Sequence, residues 1–139
     1  MQVVVCSLYC GTREVSIFPG SENLYSPRLS PDGKHLATVT AGNKTLLIFD
    51  FQTQKWTNWV SEPGLIDLPT WSRNGQYIYY LNPSTAGYQR VKVGQTRSEL
   101  VLDLKDLRGL WSGVTPDGAA LFLRDVSVGE IYSLEVELP

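Results

Sequence analysis

The chain has 139 residues, with twelve Lys+Arg, fourteen Asp+Glu, one His, two Cys and 42% apolar residues, the size of one domain. A net charge of −2 offers no clustered basic footprint for a phosphate backbone or an anionic membrane surface, which argues against nucleic acid as a partner. The longest apolar runs are about five residues against the roughly 20 that span a bilayer, which argues against membrane insertion, and two cysteines are too few for a disulfide scaffold.

In chain order, the first expected strands are residues 3–8 and 13–18. No basic segment precedes the apolar start Val3-Val4-Val5, so no signal peptide is read there. Cys6 and Cys10 are read as ordinary strand cysteines, because a strand would hold them roughly 13 Å apart, beyond the roughly 7 Å reach of a bridge. The segment Ser26-Pro27-Arg28-Leu29-Ser30-Pro31-Asp32-Gly33-Lys34 then returns as Leu68-Pro69-Thr70-Trp71-Ser72-Arg73-Asn74-Gly75-Gln76, and again as Ser112-Gly113-Val114-Thr115-Pro116-Asp117-Gly118. The three glycines are 42 and 43 residues apart. Pro presets φ, Asp or Asn bonds its local backbone and Gly accepts positive φ, so each copy reads as a tight turn between two strands.

After each turn comes a buried second strand: residues 35–40, 77–81 and 119–123. A third follows at residues 46–49, 88–91 and 131–134, beyond turn-forming linkers at 41–44, 82–87 and 128–130. A fourth follows twice, at 55–60 and 97–102. Trp56 and Trp59 lie three apart on such a strand and so face opposite sides of it, one of them expected between blades. A period of about 40–45 residues without helix suits a four-stranded propeller blade. The expected architecture is an all-β, partial β-propeller of about three four-stranded antiparallel blades. It comprises the third and fourth strands of an incomplete blade (1–23), two blades (24–65 and 66–107) and a three-stranded last blade (108–139). Thirteen strands do not close a ring, which leaves the C-terminal part of a larger propeller, a subunit completed by another chain, or a compact variant.

The turns resemble the WD40-like PD40 repeat of TolB-type β-propellers, over about residues 24–138. The ending, Leu123-Arg124-Asp125 through Glu130 to Val136, is similar to the last blade of propellers attached to bacterial kinases and winged-helix regulators. The second copy departs from the motif, with Arg73 and Asn74 for Pro and Asp, which leaves room for a different turn type there. The resemblance implies a bacterial protein-interaction or sensory module in cytoplasm or periplasm. Its expected partners are a protein, the remaining blades or a second copy. The alternative is an accessory propeller of a peptidase or hydrolase whose catalytic domain lies elsewhere.

Catalytic motifs are not found. His35, the single His, starts a buried strand and reads as structural, and no Gly-x-Ser-x-Gly, P-loop or Gly-x-Gly-x-x-Gly occurs. Asp32 and Asp117 lack the alternating acidic pattern of a calcium loop, and Asp103, Lys105 and Asp106 read as a solvated connector. Asn43-Lys44-Thr45 fits a glycosylation triplet that turns also make by chance. The chain is read as non-enzymatic, with no cofactor or metal. By analogy with the fold, a ligand would meet the channel rim, where the inner strands carry Tyr25, Arg28, Asp67, Thr70, Trp111 and Ser112.

Overall fold

The computed structural model describes residues 4–6, 15–105, 112–115, 117 and 119–122. The strands are β1 (Val4–Cys6), β2 (Val15–Ile17), β3 (Leu24–Leu29), β4 (His35–Thr40), β5 (Thr45–Asp50), β6 (Lys55–Ser61), β7 (Asp67–Trp71), β8 (Tyr77–Asn82), β9 (Gly87–Lys92), β10 (Ser98–Asp103), β11 (Ser112–Val114) and β12 (Ala120–Phe122). No helix occurs among the described residues. The pairs β1-β2 and β11-β12 flank two antiparallel four-stranded sheets, β3-β4-β5-β6 and β7-β8-β9-β10, in simple up-and-down order. The expected third strand of the last unit, Cys10, Trp111 and Gly118 lie outside the described residues.

The repeated turn works through its first residue as much as through Pro-Asp-Gly. Ser30 Oγ donates to Asp32 Oδ1 at 2.6 Å and accepts the His35 amide at 2.9 Å, while the Lys34 amide donates to the same carboxylate at 3.1 Å. Ser72, Asn74, Gln76 and Tyr77 repeat these bonds at 2.8, 2.9 and 3.1 Å. The second turn is therefore of the same type, despite its departure in sequence: the position needs an acceptor oxygen, which an amide supplies as well as a carboxylate. Gly33 and Gly75 take φ of 71° and 68°, where a side chain would be strained. Thr115 plays the serine's part for Asp117, but its backbone closes on Ala119, four residues on instead of five.

Prolines inside the inner strands mark a second repeated device. The register slips between Tyr25 and Arg28 in β3 and between Asp67 and Thr70 in β7. The residues before the prolines, Ser26 (φ 55°) and Leu68 (φ 48°), sit in the left-handed region, an outlier for a leucine. Proline donates nothing to a ladder, so the strand bulges there.

The sheets pack face to face with β3, β7 and β11 as neighbouring inner strands. Alternate residues of each strand face opposite sheets, which produces three apolar layers. The central one unites Val39, Leu46, Ile48 and Val60 of the first sheet with Trp71, Ile78 and Tyr80 of the second. A second layer sets Leu24, Leu36 and Phe49 against Phe18, Phe51 and Trp56, and a third sets Leu81, Tyr88 and Leu104 against Tyr79 and Phe122.

Candidate functional site

Of the rim residues expected from sequence, the structure brings Tyr25 and Asp67 together and spreads Arg28, Thr70 and Ser112 along the inner strands. Tyr25 is the second residue of β3 and Asp67 the first of β7, on the same side of the two bulges. The Tyr25 hydroxyl is buried without a partner among the described residues, and burial, reinforced by the Asp67 charge, pushes its pKa up to about 12. A cavity of about 300 Å³ opens beside it, bordered by Asn23, Ala41 and Asn43. Ser112 starts β11 on the far side of β7, and its hydroxyl too is buried without a described partner. Beyond the bulges, Thr70 reaches the Leu68 carbonyl at a long 3.4 Å, and exposed Arg28 donates to its neighbour's carbonyl on Pro27 at 3.0 Å. The Arg28 backbone carbonyl accepts Trp71 Nε1 at 2.8 Å, so this position contributes to the seam through its main chain.

Another space, about 320 Å³, lies elsewhere, between the two four-stranded sheets on the side of the repeated turns. Its walls include Ile48, Trp59, Trp71 and Val93, with His35 and Asp50 at one corner. His35 is only partly buried, its Nε2 3.6 Å from Asp50 Oδ2 and its ring 6.4 Å from that of Trp71. Sequence reasoning placed His35 at the start of a buried strand, and it is the first residue of β4. For its place beside Asp50, hairpin register was the available signal, since pairing about the 41–44 linker sets His35 directly opposite Asp50. Asp50 Oδ1 accepts the Gln52 and Thr53 amides, each at 2.8 Å, and these bonds, Thr53's first, hold the carboxyl below the usual carboxylate range.

Both tryptophans of β6 seal packing layers, where only one was expected to. Trp56 packs on Phe49 and donates to the Pro19 carbonyl at 2.8 Å, whereas Trp59, the extra residue of a bulge, packs on Trp71 and donates to the Gln95 carbonyl. Between the same sheets, Glu62 accepts hydrogen bonds from Tyr80 (2.6 Å) and Ser98 (2.7 Å). Tyr80's one hydrogen is thereby spent, so Gln89 at 3.0 Å must offer its NH2.

Against known proteins, no family model and no curated protein matches the chain. Solved structures do. A Bacteroides thetaiotaomicron protein of unknown function superposes with a TM-score of 0.56 at 14% identity, over 79% of this chain and 35% of that one. A candidate 6-phosphogluconolactonase from Bacteroides uniformis, a propeller-like fold, gives 0.55 at 15% identity, over 83% and 38%. This chain is a partial β-propeller. It spans little more than a third of the length of these two structures, and at such identity the likeness concerns the fold alone. Among the described residues, no group of three His, Cys, Asp or Glu side chains is placed to hold a metal ion.

Proposed function

We propose that the chain is a non-catalytic propeller segment of the TolB-like, WD40-like kind, acting as a protein-interaction or sensory module within a larger propeller or assembly. The observation that carries this reading is the inner-strand rim. Among the described residues, Tyr25 holds an unspent hydrogen-bonding group next to the Asp67 carboxylate, on strands β3 and β7 bent by strained bulges, and Ser112 holds a second on the far side of β7. Buried polar groups normally find partners, so a locus that leaves two unpaired is suited to receive them from another molecule. The rim offers hydroxyls, a carboxylate and exposed Arg28, which is recognition chemistry; the one imidazole of the chain lies in the other cavity.

The test compares the wild-type chain, purified from its own host with whatever it retains, with Tyr25→Phe and Asp67→Lys. A polypeptide held stoichiometrically by the wild type and lost from both variants is the expected result. Turnover of ester, lactone, peptide or phosphoester substrates that either variant abolishes would overturn the non-catalytic reading.

A further inference from the structure

The cavity between the two complete sheets is not dictated by the repeat. At the same register one blade later, His35, Ile48 and Thr57 are replaced by Tyr77, Arg90 and Glu99. There the Arg90 guanidinium lies 4.7 Å over the Tyr77 ring and bonds Glu99 at 3.0 Å, so the protein's own side chains use that space. In the first seam it stays open at about 320 Å³, room for one ring-sized ligand at the low end of the roughly 300–1,000 Å³ of small-molecule sites.

The walls specify the ring's chemistry. Both indole N–H groups are already spent on carbonyls, of Arg28 and Gln95, so Trp71 and Trp59 can present only ring surface, and Ile48 and Val93 add apolar contact. Thr57, Asn58 and Thr96 also border the cavity, but most of its wall is apolar, so a polyol would set several hydroxyls against carbon, at a cost in desolvation. Among the described residues, the one ionisable pair in the lining is at a corner. His35 Nε2 and Asp50 Oδ2 stand 3.6 Å apart, too far to bond one another, while Oδ2 is the carboxylate oxygen not used by the backbone. One hydroxyl between them can accept from the imidazole N–H and donate to the carboxylate. We propose that this cavity binds a hydroxylated aromatic ring, the chemistry shared by a small phenol and a tyrosine side chain, with the ring against Trp59 and Trp71 and the hydroxyl between His35 and Asp50. The site is distinct from the inner-strand rim and does not depend on what the rim recognises.

The test titrates the full chain with 4-methylphenol and with toluene, following the indole N–H signals of Trp59 and Trp71 by NMR. A hydrogen bond to an ionised group predicts that the phenol binds at least about tenfold more tightly than toluene. Asp50→Asn keeps the backbone-capping oxygen, and His35→Phe keeps a ring against Trp71. Each should shrink the preference to within about twofold while toluene binding stays the same. The tripeptides acetyl-Gly-Tyr-Gly-amide and acetyl-Gly-Phe-Gly-amide separate the sources. Tighter binding of the tyrosine peptide than of 4-methylphenol assigns the site to a polypeptide, and exclusion of both peptides assigns it to a free phenol. Absence of saturable shifts at these two indoles, equal affinity for phenol and toluene, or a preference unmoved by both variants would overturn the proposal.

Discussion

Strands β6 and β10 are the same strand in successive blades, down to a bulge at the same register, yet they meet opposite fates. The bulge residue of β6 is Trp59, which packs on Trp71 of the next sheet, and its neighbour Val60 is 2% exposed. The bulge residue of β10 is Val101, 43% exposed, and its neighbour Leu102 is 43% exposed as well. The inner strands repeat the contrast, with Trp71 at 8% and its counterpart Leu29 at 58%. A blade thus does not bury its own apolar residues; the adjoining sheet does, as in stacked repeats where each unit is completed by its neighbour. The connectors after the outer strands diverge too. Glu62 clamps the first seam through hydroxyls, whereas Leu104, its counterpart, enters an apolar layer with Tyr88 and Phe122.

The comparison breaks most severely at Trp71. Replacing this buried wedge by Ala should cost about 3–5 kcal/mol in urea-induced unfolding, while Leu29→Ala at the equivalent place should stay within about 0.5 kcal/mol. Next comes the polar clamp. Glu62→Leu makes the first seam resemble the second but strands the Ser98 hydroxyl and leaves Tyr80 with Gln89 alone, for about 1–3 kcal/mol, and adding Ser98→Ala should recover part of that loss. The clamp also predicts an alkaline limit. Burial, and then the bond to Glu62, raise the Tyr80 pKa, and burial takes Tyr88 to about 12. A pKa raised on folding stabilises fully below the unfolded value of about 10 and less as pH rises beyond it. Melting temperatures should therefore hold below that pH and fall above it, with Tyr80→Phe blunting the fall.

Smaller effects are expected at the turns. Gly33 and Gly75 have positive φ and nearly open space where a side chain would stand, so Val at either should cost about 1–2 kcal/mol through backbone strain alone, and equally in the two turns. Unequal losses by thermal melting would mean that Asn74 does not replace Asp32 in kind.

The repeat was legible because its turns are local: Pro31-Asp32-Gly33 and its copies need only nearby residues to explain them, and the expected strands that fall on described residues follow in the order observed. The inner-strand bulges were hinted at by Pro27 and Pro69, since proline has no N–H to give the ladder that β3 and β7 each form with a single partner strand, but left-handed Ser26 and Leu68 show only in the backbone. Which aromatic faces which sheet was harder. A one-residue bulge at Trp59 changes the side-chain alternation, and no local pattern announces a bulge. The His35–Asp50 corner depended on pairing register, and its Trp71 wall comes from another blade, a long-range contact that periodicity does not contain.

The exposed face of β10 carries the central claim, that apolar residues of a blade are completed by an adjoining sheet. Sedimentation velocity of the full chain across the micromolar range tests it most directly, alongside a Val101→Ser, Leu102→Ser double variant. The account predicts concentration-dependent association of the wild type that the double variant loses with its melting temperature unchanged. A wild-type chain that sediments as one folded monomer throughout, indistinguishable from the variant, would contradict it.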